Sequence, residues 1–504
     1  DIVSLRPKGI TSIVINRSEK KLPRISIWSY EWKMSESFPF KVDAVIRSHN
    51  GEFKRSITIH RGLTVLIGPN GSGKTHILRG LKEALMTRAG GKKVRFLSAG
   101  RIGMLEQFRS DYDGHRGGAP RYDEAGFGGK GGIKTRHQAE TLNGDIQTLS
   151  HRPDILIKIQ ERLRKLFRRD IIVEWDAGEL KVIFARMEPG QKPYSSGREA
   201  SGLLHLVGIL SALYDDEVGA LLIDEPEVSL HPQLQAFLLQ EIVGVAGYPQ
   251  SHSNKKLIVM ATHSTEMIDI RRADDLSSFV FCYDLTRDPI QVDPNAGELK
   301  NKRVQGLISR LSQEHRLALF SVRPLLVEGP SDVIVCNAIA RRLELHIEAA
   351  GSQLLPVIGK TEFTTVVKLF GLLGKVPVVL ADADALADGT ELGTYFLGGN
   401  TNADLRAAKL GASTAVDLLS GVYEDFVALV SAEWTAISKI AAQHAYWVNR
   451  GSDMVKAMRR AAFCSLFIFD DAIIAALSEN QSWLKIKMRW NAVLDLLSDY
   501  GCFI

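Results

Sequence analysis

The chain has 504 residues, 45% hydrophobic and 24% charged, with 63 Lys and Arg against 58 Asp and Glu for a formal net charge of +5. That length exceeds what one core serves, so two or three domains are expected, and no run approaches the roughly eighteen apolar residues of a membrane span. The small basic excess permits an anionic partner without demanding one.

Cys282, Cys336, Cys464 and Cys502 lie far apart, with no pair at metal-ligand or redox spacing, which points to reduced thiols in a cytoplasmic protein. The opening DIVSLRPKGI has no apolar signal core, so export is not indicated.

In chain order, short alternating runs come first: SIVINR, RISIWSYEW, KVDAVIRS, FKRSITIH and LTVLIG, read as an antiparallel β-lobe feeding a core strand. A helix over Ile77 to Leu85 and the strand KKVRFLSAGR follow. Gly114 to Gly132 is rich in glycine and carries His115, Arg116, Arg121 and Lys130, the mark of a mobile basic loop. Helical periodicity returns at Asp154 to Arg168, then the strands DIIVEWDA and ELKVIFARM, a helix from Ser201 to Tyr214, and the apolar strands GALLIDEP and KKLIVMATHS. A fresh start at RPLLVEGPSD puts a domain boundary near residue 320, and residues 400 to 504 read as mostly helical.

GPNGSGKT, Gly68 to Thr75, fits the G-x-x-x-x-G-K-[ST] phosphate loop between an apolar strand and a helix. Backbone N–H groups of Asn70, Gly71, Ser72 and Gly73 would close around phosphates, Lys74 would reach the β/γ-phosphates, and the Thr75 hydroxyl would meet Mg²⁺. ALLIDEPEVSLHP supplies a second half: Asp224 offers a carboxylate to the Mg²⁺ shell and Glu225 a group to polarise water. KKLIVMATHS ends near His263, placed to sense a γ-phosphate.

The succession of phosphate loop, YSSGREASGLLHLVGILSALY, LLIDEPEVSLHP and ATHS resembles the ATP-binding-cassette ATPases of the structural-maintenance-of-chromosomes type. That resemblance implies that Ser195, Ser196 and Gly197 meet the γ-phosphate held by a second head, so that hydrolysis requires a homodimer. The signature reads Tyr-Ser-Ser-Gly-Arg rather than L-S-G-G-Q, and Gln107 is the convenient candidate for the Q-loop glutamine. No long coiled coil fits between Thr75 and Ser195.

A second constellation begins at RPLLVEGPSD, an apolar strand ending in Glu328, with Asp332 where a helix starts. Some fifty residues later the strand of KVPVVLADADALADG, read over Val376 to Leu380, ends in Asp382 and Asp384, and strand alternation would send both carboxylates to one face. Both strand ends can meet at the carboxyl edge of a parallel sheet. Converging carboxylates repel unless cations sit between them, and oxygen-only ligands select Mg²⁺ or Mn²⁺.

Glu…Asp-x-Asp in this setting resembles a Toprim domain, and the combination with the ATPase head looks like the OLD (overcoming lysogenization defect) family of ATPase-nucleases of bacterial phage defence. The resemblance implies an α/β fold: a cassette-type ATPase with an N-terminal antiparallel β-lobe over residues 1–320, a Toprim-like core over 321–400, and a helical extension over 401–504. It also implies divalent metal at Glu328, Asp332, Asp382 and Asp384, with Glu328, Asp382 and Asp384 catalytic beside Glu225 and His263 of the ATPase. Implied cofactors are ATP and Mg²⁺, with Mn²⁺ as an option at the Toprim site. Implied partners are nucleic acid, DNA or RNA, a second head, and a partner defence protein.

VIGKTEF places Lys360 where it would steady a phosphate or simply face solvent. The later basic catalytic residue stays open among Lys456, Arg459, Lys485 and Lys487. WLKIKMRW, with Trp483 and Trp490, reads either as an amphipathic helix whose tryptophans pack inward or as a stacking surface for nucleic acid. The rival to a nuclease is an ATP-driven scaffold whose Toprim-like domain regulates a partner toxin or nuclease; a repair or recombination ATPase is the third reading.

Overall fold

The computed structural model describes residues 38–48, 51–109, 121–251, 253–359, 362–468 and 481–504. The expected strands SIVINR and RISIWSYEW, residues 114–120 of the glycine-rich loop, and Lys360 lie outside the described residues, while residues 121–132 of that loop form the turns Tyr122–Glu124 and Lys130–Thr135 and bury Ala125 and Phe127 instead of standing loose in solvent. The strands are β1 (Phe40–Ser48), β2 (Gly51–Ile59), β3 (Leu63–Ile67), β4 (Lys93–Leu97), β5 (Arg169–Asp176), β6 (Glu179–Arg186), β7 (Tyr194–Ser195), β8 (Val218–Asp224), β9 (Leu257–Ala261), β10 (Phe279–Phe281), β11 (Ile290–Gln291), β12 (Leu325–Val327), β13 (Leu354–Pro356), β14 (Val378–Leu380) and β15 (Cys502–Phe503).

Alternation in FKVDAVIRS and GEFKRSITI produces an antiparallel hairpin, β1 with β2, that buries Val42, Ala44, Ile46, Ile57 and Ile59 on one face. That face packs on the helix Lys74–Ala84, which follows the phosphate loop. Behind it stands a six-stranded sheet in the order β11-β10-β3-β9-β8-β4, parallel except at β11. VGALLID and LIVMA are buried along their whole length, as strands covered on both faces must be. Successive residues therefore enter two cores. Leu66, Leu222 and Val259 join the hairpin side, while Val65, Ile67, Leu221 and Ile223 face the helices Leu142–His151 and Ser201–Tyr214. A three-stranded antiparallel sheet, β5-β6-β7, flanks the second core.

The second half is built on a four-stranded parallel sheet, β13-β12-β14-β15. Its last strand comes from Cys502 and Phe503 at the far end of the chain, so the helices between residues 401 and 499 are an excursion whose end returns to this sheet. The α/β class expected from sequence is what the chain adopts. The strand before the paired aspartates is shorter than expected: Val376 is exposed, and pairing starts at Val378. Trp490 is fully buried against Phe426 and Phe463, and the Trp483 indole donates to Glu433 Oε2 at 2.7 Å. Those tryptophans pack inward, which removes them as a stacking surface.

Candidate functional site

The phosphate loop joins β3 to the helix Lys74–Ala84. Its first glycine, Gly68, sits at φ 152°, and a Cβ there would lie 1.9 Å from the Cys282 carbonyl oxygen, so only glycine permits this approach to the segment after β10. Lys74 Nζ donates to the carbonyls of Gly68 and Pro69 at 2.9 Å, and Thr75 Oγ1 donates to Asp224 Oδ2 at 3.0 Å. A cavity of about 250 Å³ lies over the loop, lined by Asn70, Gly71, Gly73, Thr75, Glu225 and His263. Ser72 is buried beneath the loop. Burial lowers the Lys74 ammonium and raises the Asp224 carboxyl, the strain of two opposite charges taken from water.

Glu225 follows β8 at φ 47°, a left-handed conformation uncommon for a residue with a side chain. The turn is held from below by the fully buried Arg101, which donates to the Asp224 carbonyl at 2.8 Å and meets His205 Nδ1 at 2.7 Å. His263 Nε2 stands 3.7 Å from Glu225 Oε1, and burial, with Lys74 nearby, lowers this imidazole to about 4. Strain at a carboxylate facing a phosphate cavity is a feature of functional sites.

The signature residues are less open than the sequence implies. Ser196 and Gly197 are buried, and a Cβ on Gly197 would meet the Tyr122 carbonyl oxygen at 2.3 Å. Ser195 Oγ donates to that same carbonyl at 2.7 Å. Arg109, on the helix Gly103–Arg109, donates to the carbonyls of Gly197 and Glu199 and to Ser201 Oγ, pinning the loop from the other side. Gln107 on that helix is exposed and does not line the cavity over the phosphate loop.

In the second sheet, β12 and β14 are adjacent and in parallel register, Val327 beside Leu380, so the residues leaving both strands emerge side by side. Glu328, Asp382 and Asp384 bring ligand oxygens within 4.8 Å of one another. The two expected aspartates come together, but not by strand alternation: the strand ends at Leu380, and Asp384 opens the helix Asp384–Asp388. Asp332 stands outside this group, its Oδ2 accepting the Gly329 N–H at 2.8 Å at the start of the helix Pro330–Arg342. Three carboxylates at this spacing form an all-oxygen donor set suited to a hard divalent cation.

The cations beside the cluster come from the helix Met454–Ala462. Arg460 Nη1 lies 3.2 Å from Asp384 Oδ2, and its Nε and Nη2 hold both oxygens of Asp388 at 2.8 and 2.6 Å. Lys456, one turn earlier, reaches Asp388 Oδ2 at 3.4 Å. Arg459 instead donates to the Tyr423 hydroxyl, and Lys485 is exposed. Arg460 was not among the sequence candidates; its spacing of four from Lys456 is the signal that puts both on one helical face.

The two sites are joined by packed atoms. Tyr283, two residues from Leu285 at the cavity edge, donates its hydroxyl to the Leu373 carbonyl at 2.5 Å. Lys375 places its ammonium 5.0 Å from the Tyr283 ring centroid and donates to the Ser321 carbonyl. Phe320, next to Ser321, stacks on His263 with ring centroids 6.4 Å apart. Between Leu373 and Lys375, Gly374 lies so close to Ile290 that a Cβ would meet Ile290 Cδ1 at 2.0 Å.

Two stretches of the chain match known families. Residues 148–269 match the model described as "AAA domain, putative AbiEii toxin, Type IV TA system", and residues 319–384 match "Overcoming lysogenization defect protein-like, TOPRIM domain". The chain is 30% identical over 189 residues to "Endonuclease GajA" of Bacillus cereus (strain VD045), covering 36% of this chain and 29% of that protein. It is 26% identical over 189 residues to "OLD nuclease" of Thermus scotoductus, covering 36% of this chain and 34% of that one. The chain thus spans about a third of the length of the curated relatives it matches. Among solved structures, the "SMC head domain from Thermotoga maritima" aligns at 13% identity over 51% of this chain and 99% of that chain, with a TM-score of 0.26. The fold assignment rests on strand order and motifs instead. Residues 148–269 and 319–384 thus resemble, in this order, an AAA-type ATPase domain and a Toprim domain of the overcoming-lysogenization-defect kind.

Proposed function

We propose that this chain is an ATP-hydrolysing, divalent-metal-dependent nuclease that cuts nucleic acid in cytoplasmic defence against phage. The observation that carries the reading is the convergence of Glu328, Asp382 and Asp384 in the same compact unit as a phosphate loop whose Thr75 meets Asp224. In this reading Lys74 and the loop amides bind the ATP phosphates, Thr75 and Asp224 hold the nucleotide's Mg²⁺, and Glu225 takes a proton from the attacking water. His263, held neutral by burial, stands beside Glu225 to face the γ-phosphate.

At the Toprim centre, Glu328, Asp382 and Asp384 hold Mg²⁺ or Mn²⁺. A divalent cation bound there supplies a polarised water and neutralises charge on a phosphodiester. Arg460 fixes the Asp384 carboxylate and keeps Asp388 from swinging into the cluster. The proposed division is 1–320, 321–400 and 401–504, with β15 completing the second sheet. Dimerisation through the heads would bring a partner's Ser195 to the nucleotide once the Tyr122–Glu124 turn has moved aside. Among the described residues no helix is long and apolar enough to cross a membrane.

The test is cleavage of supercoiled DNA, linear DNA and total RNA with Mg²⁺ or Mn²⁺, with and without ATP, beside Glu225→Gln. Cutting of one substrate class, altered by ATP in the wild type and not turned over in Glu225→Gln, supports the reading. Normal ATP turnover with no cutting of any substrate supports the scaffold instead.

A further inference from the structure

Next to the Toprim carboxylates, the helical excursion carries an open cavity of about 500 Å³. It lies between the short helix Ala445–Val448 and the start of Met454–Ala462, and its walls include Tyr446, Asn449, Arg450, Ser452, Lys456 and Arg460. Arg460 lines this cavity and also touches Asp384, so the space is one side chain away from the proposed metal centre.

Acidic groups also stand nearby, one of them, Asp453, in the cavity wall itself. Asp388 gives both oxygens to Arg460, and Asp453 accepts the Lys456 backbone N–H at 2.9 Å as the helix cap. The cations keep donors to spare. Arg450 uses one Nη on the Trp447 carbonyl at 3.0 Å and lies over the Trp447 ring, 4.7 Å from its centroid, while Trp447 is itself packed on Trp434. Lys456 has one long contact to Asp388 and two further N–H groups. A cavity bearing two such cations, an amide and a hydroxyl suits phosphate oxygens: planar Arg binds two at once and Lys acts as a point charge.

We propose that this cavity seats the sugar–phosphate backbone of a nucleic-acid strand, gripping the phosphate that neighbours the one presented to Glu328, Asp382 and Asp384. Arg450 and Lys456 supply the charge, and Asn449 and Ser452 the neutral donors. The inference rests on the nuclease reading and gives it a substrate-binding surface in the helical excursion. Contacts of this kind grip without reading sequence, so discrimination between targets lies elsewhere.

The experiment measures binding of short fluorescein-labelled DNA and RNA strands, and of a DNA duplex, by anisotropy over a series of salt concentrations. It uses the full chain with Ca²⁺ in place of Mg²⁺, and compares wild type, Arg450→Ala/Lys456→Ala, Arg450→Glu and, as a control on the far domain, Lys158→Ala. Arg450 is exposed and Lys456 partly so, and Mn²⁺ affinity reports whether each variant keeps the carboxylate cluster. The cavity variants should bind at least about tenfold more weakly, with the duplex salt slope reduced by about 0.9 for each cation removed. Lys158→Ala and Mn²⁺ affinity should be unchanged. In cleavage assays the double variant should raise KM and leave kcat near wild type. Wild-type affinity and slope in the double variant, or a fall in kcat with KM unchanged, would overturn the backbone seat while leaving the nuclease intact. A wild type that neither binds nor cuts any probe would overturn the seat and the nuclease reading together.

Discussion

The Tyr283 hydroxyl donates to the Leu373 carbonyl across the junction of the two domains, 2.5 Å between heavy atoms. Tyr283 belongs to the segment that packs on Gly68 and reaches the nucleotide cavity at Leu285, and Leu373 precedes the strand that delivers Asp382. Removing the hydroxyl while keeping the ring leaves a buried carbonyl unsatisfied, a cost of about 1–3 kcal/mol. Tyr283→Phe should therefore hydrolyse ATP at a near wild-type rate and lose much of the effect of ATP on cleavage. Steady-state ATPase and cleavage assays run side by side check this; an unchanged ATP response would remove the junction as the coupling element.

Glu225→Gln preserves the shape of the strained turn and removes the proposed base. ATP turnover should fall by about 10²- to 10⁴-fold, the usual contribution of a positioned general base, with ATP still bound. Radiolabelled nucleotide retention on a filter separates the two effects. Retained turnover would assign the base to another group.

Arg95 and Asp145 form a fully buried pair at the heart of the ATPase core, and Arg95 also donates to the Arg136 carbonyl. Burial pushes the Asp145 carboxyl up to about 6 even against the Arg95 guanidinium, which shows how much desolvation this pair absorbs. Asp145→Ala strands the guanidinium and should destabilise the fold by about 3–5 kcal/mol. Replacing both partners with apolar residues should cost much less. Urea unfolding of the single and double variants measures the difference.

Lys375 carries the pH dependence of the junction. Burial lowers its ammonium from 10.5 to about 7. Between those values the unfolded chain holds the proton more firmly than the folded one, so the Lys375 contribution to stability rises with pH from about 7 upward and is smallest below 7. The wild type should gain more thermal stability between pH 7 and pH 9 than Lys375→Met does. A difference between the two proteins that stays constant with pH would show that the amine keeps its proton in place.

Much of the site was legible because its chemistry is local. Gly68 to Thr75 and the strand ending in Asp224 and Glu225 announce themselves by spacing, and the structure joins them through Thr75. Asp382 and Glu328 were legible because each follows a short apolar strand, and adjacent parallel strands bring their ends together. Arg460 was hard to single out, since of two consecutive arginines on one helix Arg459 meets Tyr423, 36 residues away, and Arg460 meets Asp388, 72 residues away. The cover over Ser195 and Gly197 was hidden because Tyr122 reaches them through its backbone carbonyl, which has no side-chain identity to read. That β15 completes the second sheet depends on two residues at the chain's end, too few for a periodic pattern.

The most direct measurement is cleavage of nucleic acid by the wild type and by Asp382→Ala, each with Mn²⁺ and ATP and each with its ATP turnover recorded from the same preparation. The account predicts cutting by the wild type and none by Asp382→Ala, with ATP turnover equal in both. Equal cutting by the two proteins would place the nuclease centre away from Glu328, Asp382 and Asp384 and contradict the account.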